Sequence, residues 1–415
     1  MKKYVYPSEI SGTIAAPASK SVMQRAIAAS LMADGESVLS HPSFCDDSQA
    51  AMRVAEGLGA SVERKSDEVI IRGGINPASD TLNCGESGLC IRMFTPIAAL
   101  TGKRMVLTGE GSLLGRPVSG IEDALGRLGV LVKSNNGLLP VEVSSILRGG
   151  SAEIDGSVSS QFLTGLLMAL PAAEKDSVIK VNNLKSREYI DITVDVLKKF
   201  GIKVENRKYN EFRIHGGQKF TPAKIDIEGD WSGAAFLLCA GAVAGSVSVT
   251  GLNPESYQPD RAIITALRKS GAEVIADKTV IHIKSQNLHG FEFDATECPD
   301  LFPPLAALAL YCKGESVIWG AGRLKHKESD RGTAIISEFK KMGGLVKIEK
   351  DCMIIRGSSL SGAVIDPHGD HRMAMACTVA AMGCSGAVEI TNAECINKSY
   401  NEFYDHMIKL GAEIK

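Results

Sequence analysis

Small apolar residues gather at helical spacing in six stretches of the chain: QRAIAASLMA, CIRMFTPIAAL, QFLTGLLMAL, AAFLLCAGAVA, PPLAALALYC and MAMACTVAAMG. Being apolar all round, they predict helices with no solvent face, enclosed in a core. Each runs through a short turn into a segment such as ESVLSHP, KRMVLTG, DSVIKVN, GSVSVTG, ESVIWGA or GAVEITN. The alternation in these segments predicts strands. A second helical run then ends at a glycine, at 59, 129, 201, 271, 343 and 411, and further alternation follows. Glycine ends such helices because it enters the left-handed conformation at little cost. Polar turns within ERKSDEVIIRG, KSNNGLLPVEV and ENRKYNEFRIHG predict hairpins.

The six glycines are spaced by 70, 72, 70, 72 and 68 residues. The repeating unit therefore reads strand, buried helix, strand, outer helix, hairpin. Six units make two groups of three, with the break near EGDWSG at 228–233. A solenoid scaffold is the plain alternative, but solenoid repeats run to roughly 20–50 residues. The period favours a two-domain α/β protein, as does a length of 415 residues.

Composition narrows the chemistry. A formal charge of -2 gives no global attraction to nucleic acid or anionic membranes, so any anion site must be local. The ten cysteines form no CxxC pair and mostly lie in apolar runs, which fits a reducing cytoplasm. MKKYVYPSEI lacks the apolar core of a secretory signal, and AAFLLCAGAVAG is too short to span a bilayer. A soluble cytoplasmic protein is expected.

The mouths of the six apolar helices are polar: SKSVMQR, GESGLCIR, VSSQF, GDWSG, CPDLF and GDHRM. Helix N-termini offer unpaired N–H groups and the positive end of the macrodipole, so they favour anions. Lys20, Arg25, Arg92 and Arg372 oppose that dipole. Either neighbouring carboxylates such as Glu86, Asp230 and Asp370 neutralise them, or they serve a bound polyanion. Arg116, the run RLKHKESDRG and Lys398 add further basic groups, for which surface ion pairs are the default explanation. His368 and His371 lack a third metal ligand at familiar spacing, and no GxxxxGK[ST] phosphate loop is present.

Taken in order, PASKSVMQRA, LNCGESGLCIRMF, LTGEGSLLGRP, SSQFLTGLLMA, SREYIDIT, EGDWSGAAF, PDLFPPLA, KHKESDRG, GDHRMAMA and NKSYNEF resemble the 5-enolpyruvylshikimate-3-phosphate (EPSP) synthase family over nearly the whole chain. The resemblance implies two similar inside-out α/β barrel domains, each of three βαβαββ units. Residues 1–18 and 228–415 would form one lobe, binding mainly phosphoenolpyruvate and carrying the acid and base. Residues 19–227 would form the other, binding mainly shikimate 3-phosphate. Substrates would occupy a cleft between lobes that close around them.

The implied reaction moves the enolpyruvyl group of phosphoenolpyruvate to the 5-hydroxyl of shikimate 3-phosphate and releases phosphate, on the route to chorismate and the aromatic amino acids. No metal or organic cofactor is implied. The expected partners are these two small molecules, with no nucleic acid or membrane, and a monomer is expected. By resemblance, Lys20, Ser21, Arg25, Ser159, Ser160, Gln161, Ser186, Tyr189, Asp300 and Lys327 meet shikimate 3-phosphate. Lys20, Gly88, Arg116, Gln161, Arg331, Arg372 and Lys398 meet phosphoenolpyruvate. Asp300 matches the proton acceptor and Glu328 the acid that protonates the methylene, with Lys20 counted among the catalytic groups. Helix capping is the simpler alternative for Asp300 and for one of Ser159 and Ser160. Arg92 and Asp230 are expected to brace Asp370.

Two departures stand out. The family's glycine loop often reads GNAGT or GNSGT where this chain has GESGL, so Glu86 and Leu89 replace an amide and a hydroxyl residue. Arg323 stands where some members have asparagine. Two alternatives share the anion-binding logic. UDP-N-acetylglucosamine enolpyruvyl transferases typically read KNA in place of KSV and carry a cysteine in the loop around GEGSLLGRP, which this chain lacks. A non-catalytic polyanion-binding module would need more stacking aromatics than two tryptophans and eight tyrosines readily supply.

Overall fold

Short sheets, each wrapped on a helix apolar on all sides, organise the protein. A computed structural model describes residues 1–118, 120–157, 159–325 and 327–415; Ser119, Val158 and His326 lie outside the described residues. Among the described residues five sheets have four strands; four share one order, and in the fifth Lys224–Asp226 takes the place of the first strand. In one of them, Thr81–Asn83 runs parallel to Met105–Thr108, with Leu82 opposite Leu107. Met105–Thr108 pairs antiparallel with Leu138–Ser144, which closes a hairpin with Leu131–Asn135. A parallel pair needs a crossover, and the helix Gly88–Ala99 provides it.

The chain divides into two compact units, Met1–Pro17 with Glu228–Lys415, and Ala18–Ile227. We term these the discontinuous and continuous units. The strands flanking both crossings pair within their own unit. Ile10–Ala15 lies parallel to Gly245–Thr250, whereas Lys224–Asp226 lies parallel to Glu36–Ser40. Each unit is an inside-out α/β barrel of three βαβαββ repeats, with its helices inside and its sheets outside.

In the discontinuous unit the helices Trp231–Ala244, Phe302–Ala309 and His371–Ala381 pack on one another. In the continuous unit Gly88–Ala99 packs on both Lys20–Met32 and Gln161–Ala169. Every residue of Phe302–Ala309 and of His371–Ala381 is buried, as their apolar patterns demand. Each fully buried Leu, Ile, Met or Phe contributes roughly 1.5–3 kcal/mol. The two hydrophobic cores are separate and coincide with the two units.

All six repeat glycines have positive φ, between 79° and 111°. The sixth unit differs from its pattern. The segment after Gly411 bridges Ile414 to Val5 antiparallel, with Tyr4 and Lys415 exchanging backbone hydrogen bonds at 2.9 Å. On its other side Lys3–Val5 pairs antiparallel with Val388–Ile390, completing a three-stranded sheet with Val364–Ile365.

Candidate active site

Capping residues hold most of the helix mouths. Ser19, Ser87, Asp230 and Asp370 each accept a hydrogen bond from a backbone amide in the first turn of the apolar helix that follows. Asp300 behaves differently. It lies in the 3-10 turn Pro299–Leu301, and no side chain caps the helix that begins at Phe302. Its carboxylate is turned to cations instead.

Arg331 Nη1 donates to Asp300 Oδ1 at 2.9 Å, Lys327 Nζ to the same oxygen at 3.2 Å, and Arg372 Nη2 to Oδ2 at 3.0 Å. Burial works against charge here, yet Arg372, Lys327 and Arg331 together hold the Asp300 carboxyl well below the usual range. Burial also lowers the Lys327 ammonium below its ordinary value, against the opposing pull of Asp300. Asp300 and Lys327 keep 18% and 20% of their side-chain surface exposed, so the edge of the cluster is open to a ligand.

Beneath that edge lies a dry layer. Arg331 and Asp370 are both 0% exposed, with Nε of Arg331 2.9 Å from Asp370 Oδ2. Arg331 Nη2 donates to Glu328 Oε2 at 2.7 Å. Ser329 Oγ adds a bond to Asp370 at 3.2 Å, and the Arg372 backbone amide donates to Asp370 Oδ1 at 2.9 Å. A buried ion pair of this kind is tolerable only when its remaining polar atoms are satisfied, as these are. Arg372 Nη1 donates to Ser232 Oγ at 2.6 Å, which ties in the mouth of Trp231–Ala244. Nearby, burial and then the charge of Asp300 push the Asp260 carboxyl up to about 7. Lys398, buried, ends the 3-10 helix Ala393–Lys398, which packs on His371–Ala381.

The continuous unit gathers a second set. Gly88 opens its helix where a Cβ would lie 2.8 Å from both Arg116 Nη1 and Arg92 Nη1, so glycine lets two guanidinium groups reach the mouth. Arg92 Nη1 also donates to Gln161 Oε1 at 2.8 Å, and its Nη2 to Pro117 O at 2.8 Å. Gly165 permits the underlying contact of helices: its missing Cβ would sit 2.3 Å from Arg92 O. That carbonyl faces no amide four residues on, because position 96 is proline.

Arg25 is almost wholly buried and binds Thr193 Oγ1 at 2.9 Å, Ser21 O at 2.7 Å and Tyr189 O at 3.2 Å. Burial lowers its guanidinium to about 10. Lys20 Nζ pairs with Asp47 Oδ2 at 3.0 Å. Ser159 Oγ accepts from the Gln161 amide at 3.2 Å, while Ser160 and Ser186 are buried, the latter at φ 54°.

Asp300, Lys327, Glu328, Arg331 and Arg372 thus form one connected network, and Gly88, Arg116 and Gln161 meet around Arg92. Ser21 and Tyr189 meet through Arg25. The bracing of Asp370 is the work of Arg331 and Ser329, whereas the Arg92 bonds described above run within its own unit, and Asp230 caps Trp231–Ala244 through Gly233 N at 2.8 Å. Arg323 donates to Thr296 O at 2.9 Å. Sequence reasoning missed Ser232, Asp260, Asp47 and the Thr164–Thr193 pair at 3.1 Å. Only Asp47 carried a signal, as an acid in the first turn of Asp46–Gly57, and that signal points equally to the helix dipole.

Comparison with known proteins is consistent in direction. The profile of the family described as EPSP synthase (3-phosphoshikimate 1-carboxyvinyltransferase) matches residues 5–407. A 3-phosphoshikimate 1-carboxyvinyltransferase from Clostridium novyi is 37% identical over 423 residues, covering 99% of this chain and 97% of that protein. One from Methanocorpusculum labreanum is 37% identical over 421 residues, covering 100% of both. An EPSP synthase structure from Acinetobacter baumannii superposes with a TM-score of 0.85 at 27% identity, covering 100% of this chain and 99% of that one. The enolpyruvyl transferase NikO from Streptomyces tendae, at 16% identity and a TM-score of 0.80 over 100% of this chain and 98% of that one, shares the fold.

Proposed function

The chain belongs to the EPSP synthase family, and we propose that its two clusters carry out enolpyruvyl transfer from phosphoenolpyruvate to the 5-hydroxyl of shikimate 3-phosphate with release of phosphate. This reading takes precedence over UDP-N-acetylglucosamine as acceptor, since the relatives named above are 3-phosphoshikimate 1-carboxyvinyltransferases over their full length.

The observation that carries the assignment of roles is the Asp300–Arg331–Glu328 arrangement. The reaction needs one proton taken from the 5-hydroxyl and one given to the methylene carbon; the methyl group so formed then returns a proton to the carboxylate that supplied it as the bond to phosphate breaks, which restores the vinyl group in the product. Asp300, held ionised by three cations, is the acceptor. Its low proton affinity in this state follows from Arg372, Lys327 and Arg331. Anionic substrates that draw those cations toward their own phosphate and carboxylate would raise the basicity of Asp300 when it is needed. Glu328 is the acid, steadied by Arg331 and beside Lys327.

Arg331 has all its nitrogens engaged by carboxylates, so it meets phosphoenolpyruvate by exchanging one protein carboxylate for that of the ligand. Arg372 and Lys398 add charge from the same unit. Gly88, Arg116 and Gln161 are also assigned to phosphoenolpyruvate, because arginine forks match phosphate and carboxylate. Lys20, Ser21, Ser159, Ser160, Gln161, Ser186 and Tyr189 hold shikimate 3-phosphate together with Asp300 and Lys327, and Arg25 supplies charge beneath them. Lys20, paired with Asp47, serves both ligands.

The reading extends to a cytoplasmic monomer. It is supported by ten cysteines present as free thiols, and among the described residues no helix is long and apolar enough to cross a membrane. Phosphate release on mixing the protein with both substrates in metal-free buffer tests the function. Activity with UDP-N-acetylglucosamine in place of shikimate 3-phosphate would reverse the choice of acceptor.

A further inference from the structure

Glu86 is one of the two residues at which this chain leaves the family's glycine-loop pattern, and its contacts give the departure a purpose. Two loops run side by side at the mouth of Gly88–Ala99. Glu110 N donates to Gly85 O at 2.8 Å, and Asn83 Nδ2 donates to Glu110 Oε1 at 2.6 Å. Glu86 then accepts two bonds on one oxygen, from Ser112 N at 3.0 Å and Ser112 Oγ at 2.6 Å. Gly111, at φ 49°, makes room: a Cβ there would fall 2.4 Å from the Glu86 carboxylate.

The segment Gly111–Gly115 leads directly to Arg116. It is held at three points: by Glu86 at Ser112, by Leu113 sunk in the core, and by Arg92 at Pro117 O. Arg116 stands between the last two, with its backbone amide bonded to Leu113 O at 3.1 Å and its guanidinium beside Gly88. Arginine side chains are long, and their placement costs conformational entropy unless the backbone beneath them is fixed.

We propose that Glu86 is a positioning residue for phosphoenolpyruvate, clamping Ser112 so that Arg116 is delivered to the helix mouth at Gly88. The inference rests on the proposed function. It assigns the work to the acceptor oxygen of Glu86 and not to its charge, since one amide oxygen can also accept two hydrogen bonds.

The test is steady-state kinetics on full-length Glu86→Ala, Glu86→Gln and Ser112→Ala proteins, with each substrate varied separately. Loss of an ordinary hydrogen bond corresponds to roughly a fivefold effect on affinity. Glu86→Ala should raise KM for phosphoenolpyruvate by about that factor while KM for shikimate 3-phosphate stays unchanged, and Glu86→Gln should restore the wild-type value. Ser112→Ala, which keeps the backbone donor, should give a smaller rise of the same kind and serves where Glu86→Ala does not fold. An unchanged KM for phosphoenolpyruvate, a parallel rise in both KM values, or a Glu86→Gln protein as impaired as Glu86→Ala would each overturn the inference while leaving the function intact. A wild-type protein that releases no phosphate from the two substrates would remove both.

Discussion

Asp300 and Glu328 are bound to the two terminal nitrogens of a single buried guanidinium, that of Arg331, at 2.9 Å and 2.7 Å. Neither carboxylate can move far without the other sensing it, because the group between them is planar and also fixed at Nε by Asp370. The two carboxylates proposed for proton transfer are therefore set at a defined separation by the protein interior before any substrate arrives.

Replacing either carboxylate should strike turnover harder than binding. Asp300→Ala and Glu328→Ala are each expected to lower kcat by about 10²–10⁴, the usual worth of a positioned acid or base, with much smaller changes in KM. Phosphate-release kinetics at saturating substrate decide this. A rise in KM at constant kcat would assign both residues to binding alone.

Arg331 should matter to folding as well as chemistry. Arg331→Met leaves Asp370 buried without its guanidinium, and breaking one side of a buried pair costs about 3–5 kcal/mol. Urea unfolding should report that loss, and adding Asp370→Asn to the same chain should recover part of it by removing the stranded charge.

The pH dependence of stability should carry the mark of Asp260. Its carboxyl is raised from an ordinary value of 3.8 to about 7 in the folded protein, so between these two values the folded state holds a proton that the unfolded chain has released. This contribution to stability is present in full below 3.8, falls as pH rises and is gone above about 7. Asp260→Asn should flatten that part of the profile and gain relative to wild type toward pH 8, as read by thermal melts across the range.

The contact of Gly165 with Arg92 O leaves no room for a methyl group. Gly165→Ala should destabilise the protein by roughly 1–3 kcal/mol, since both atoms in the clash belong to packed helices and cannot swing aside. Gly88→Ala differs in kind, because its added Cβ meets the ends of two arginine side chains. It should leave the melting temperature nearly unchanged and weaken phosphoenolpyruvate binding.

Much of this architecture could be read from the chain itself. The apolar helices were legible because residues such as those of PPLAALALYC leave no polar stripe for solvent, and the positive-φ glycines marked every outer-helix end. What escaped was pairing. Arg92 and Arg372 stand at mouths of the same chemical character, so nothing local told the reading that one turns to Gln161 and the other to Asp300. Ser232 and Asp260 become relevant only when helices distant in sequence are brought side by side. The extended segment foreseen after Gly411 does form, but its partner is Lys3–Val5, more than four hundred residues away, a pairing that no local window contains.

The pairing of Lys3–Val5 with a segment made much later also sets an order for biosynthesis. A ribosome delivers the N-terminal portion first, at about 5–20 residues per second, and domains generally fold as units while they emerge. Residues 18–227 contain every partner their own sheets require, so this unit can settle early. Lys3–Val5, although translated before all of it, must wait unpaired until Val388–Ile390 leaves the exit tunnel. Lys3–Val5 is thus among the last segments to find its place, and the nascent chain has to keep that edge from competing partners until then.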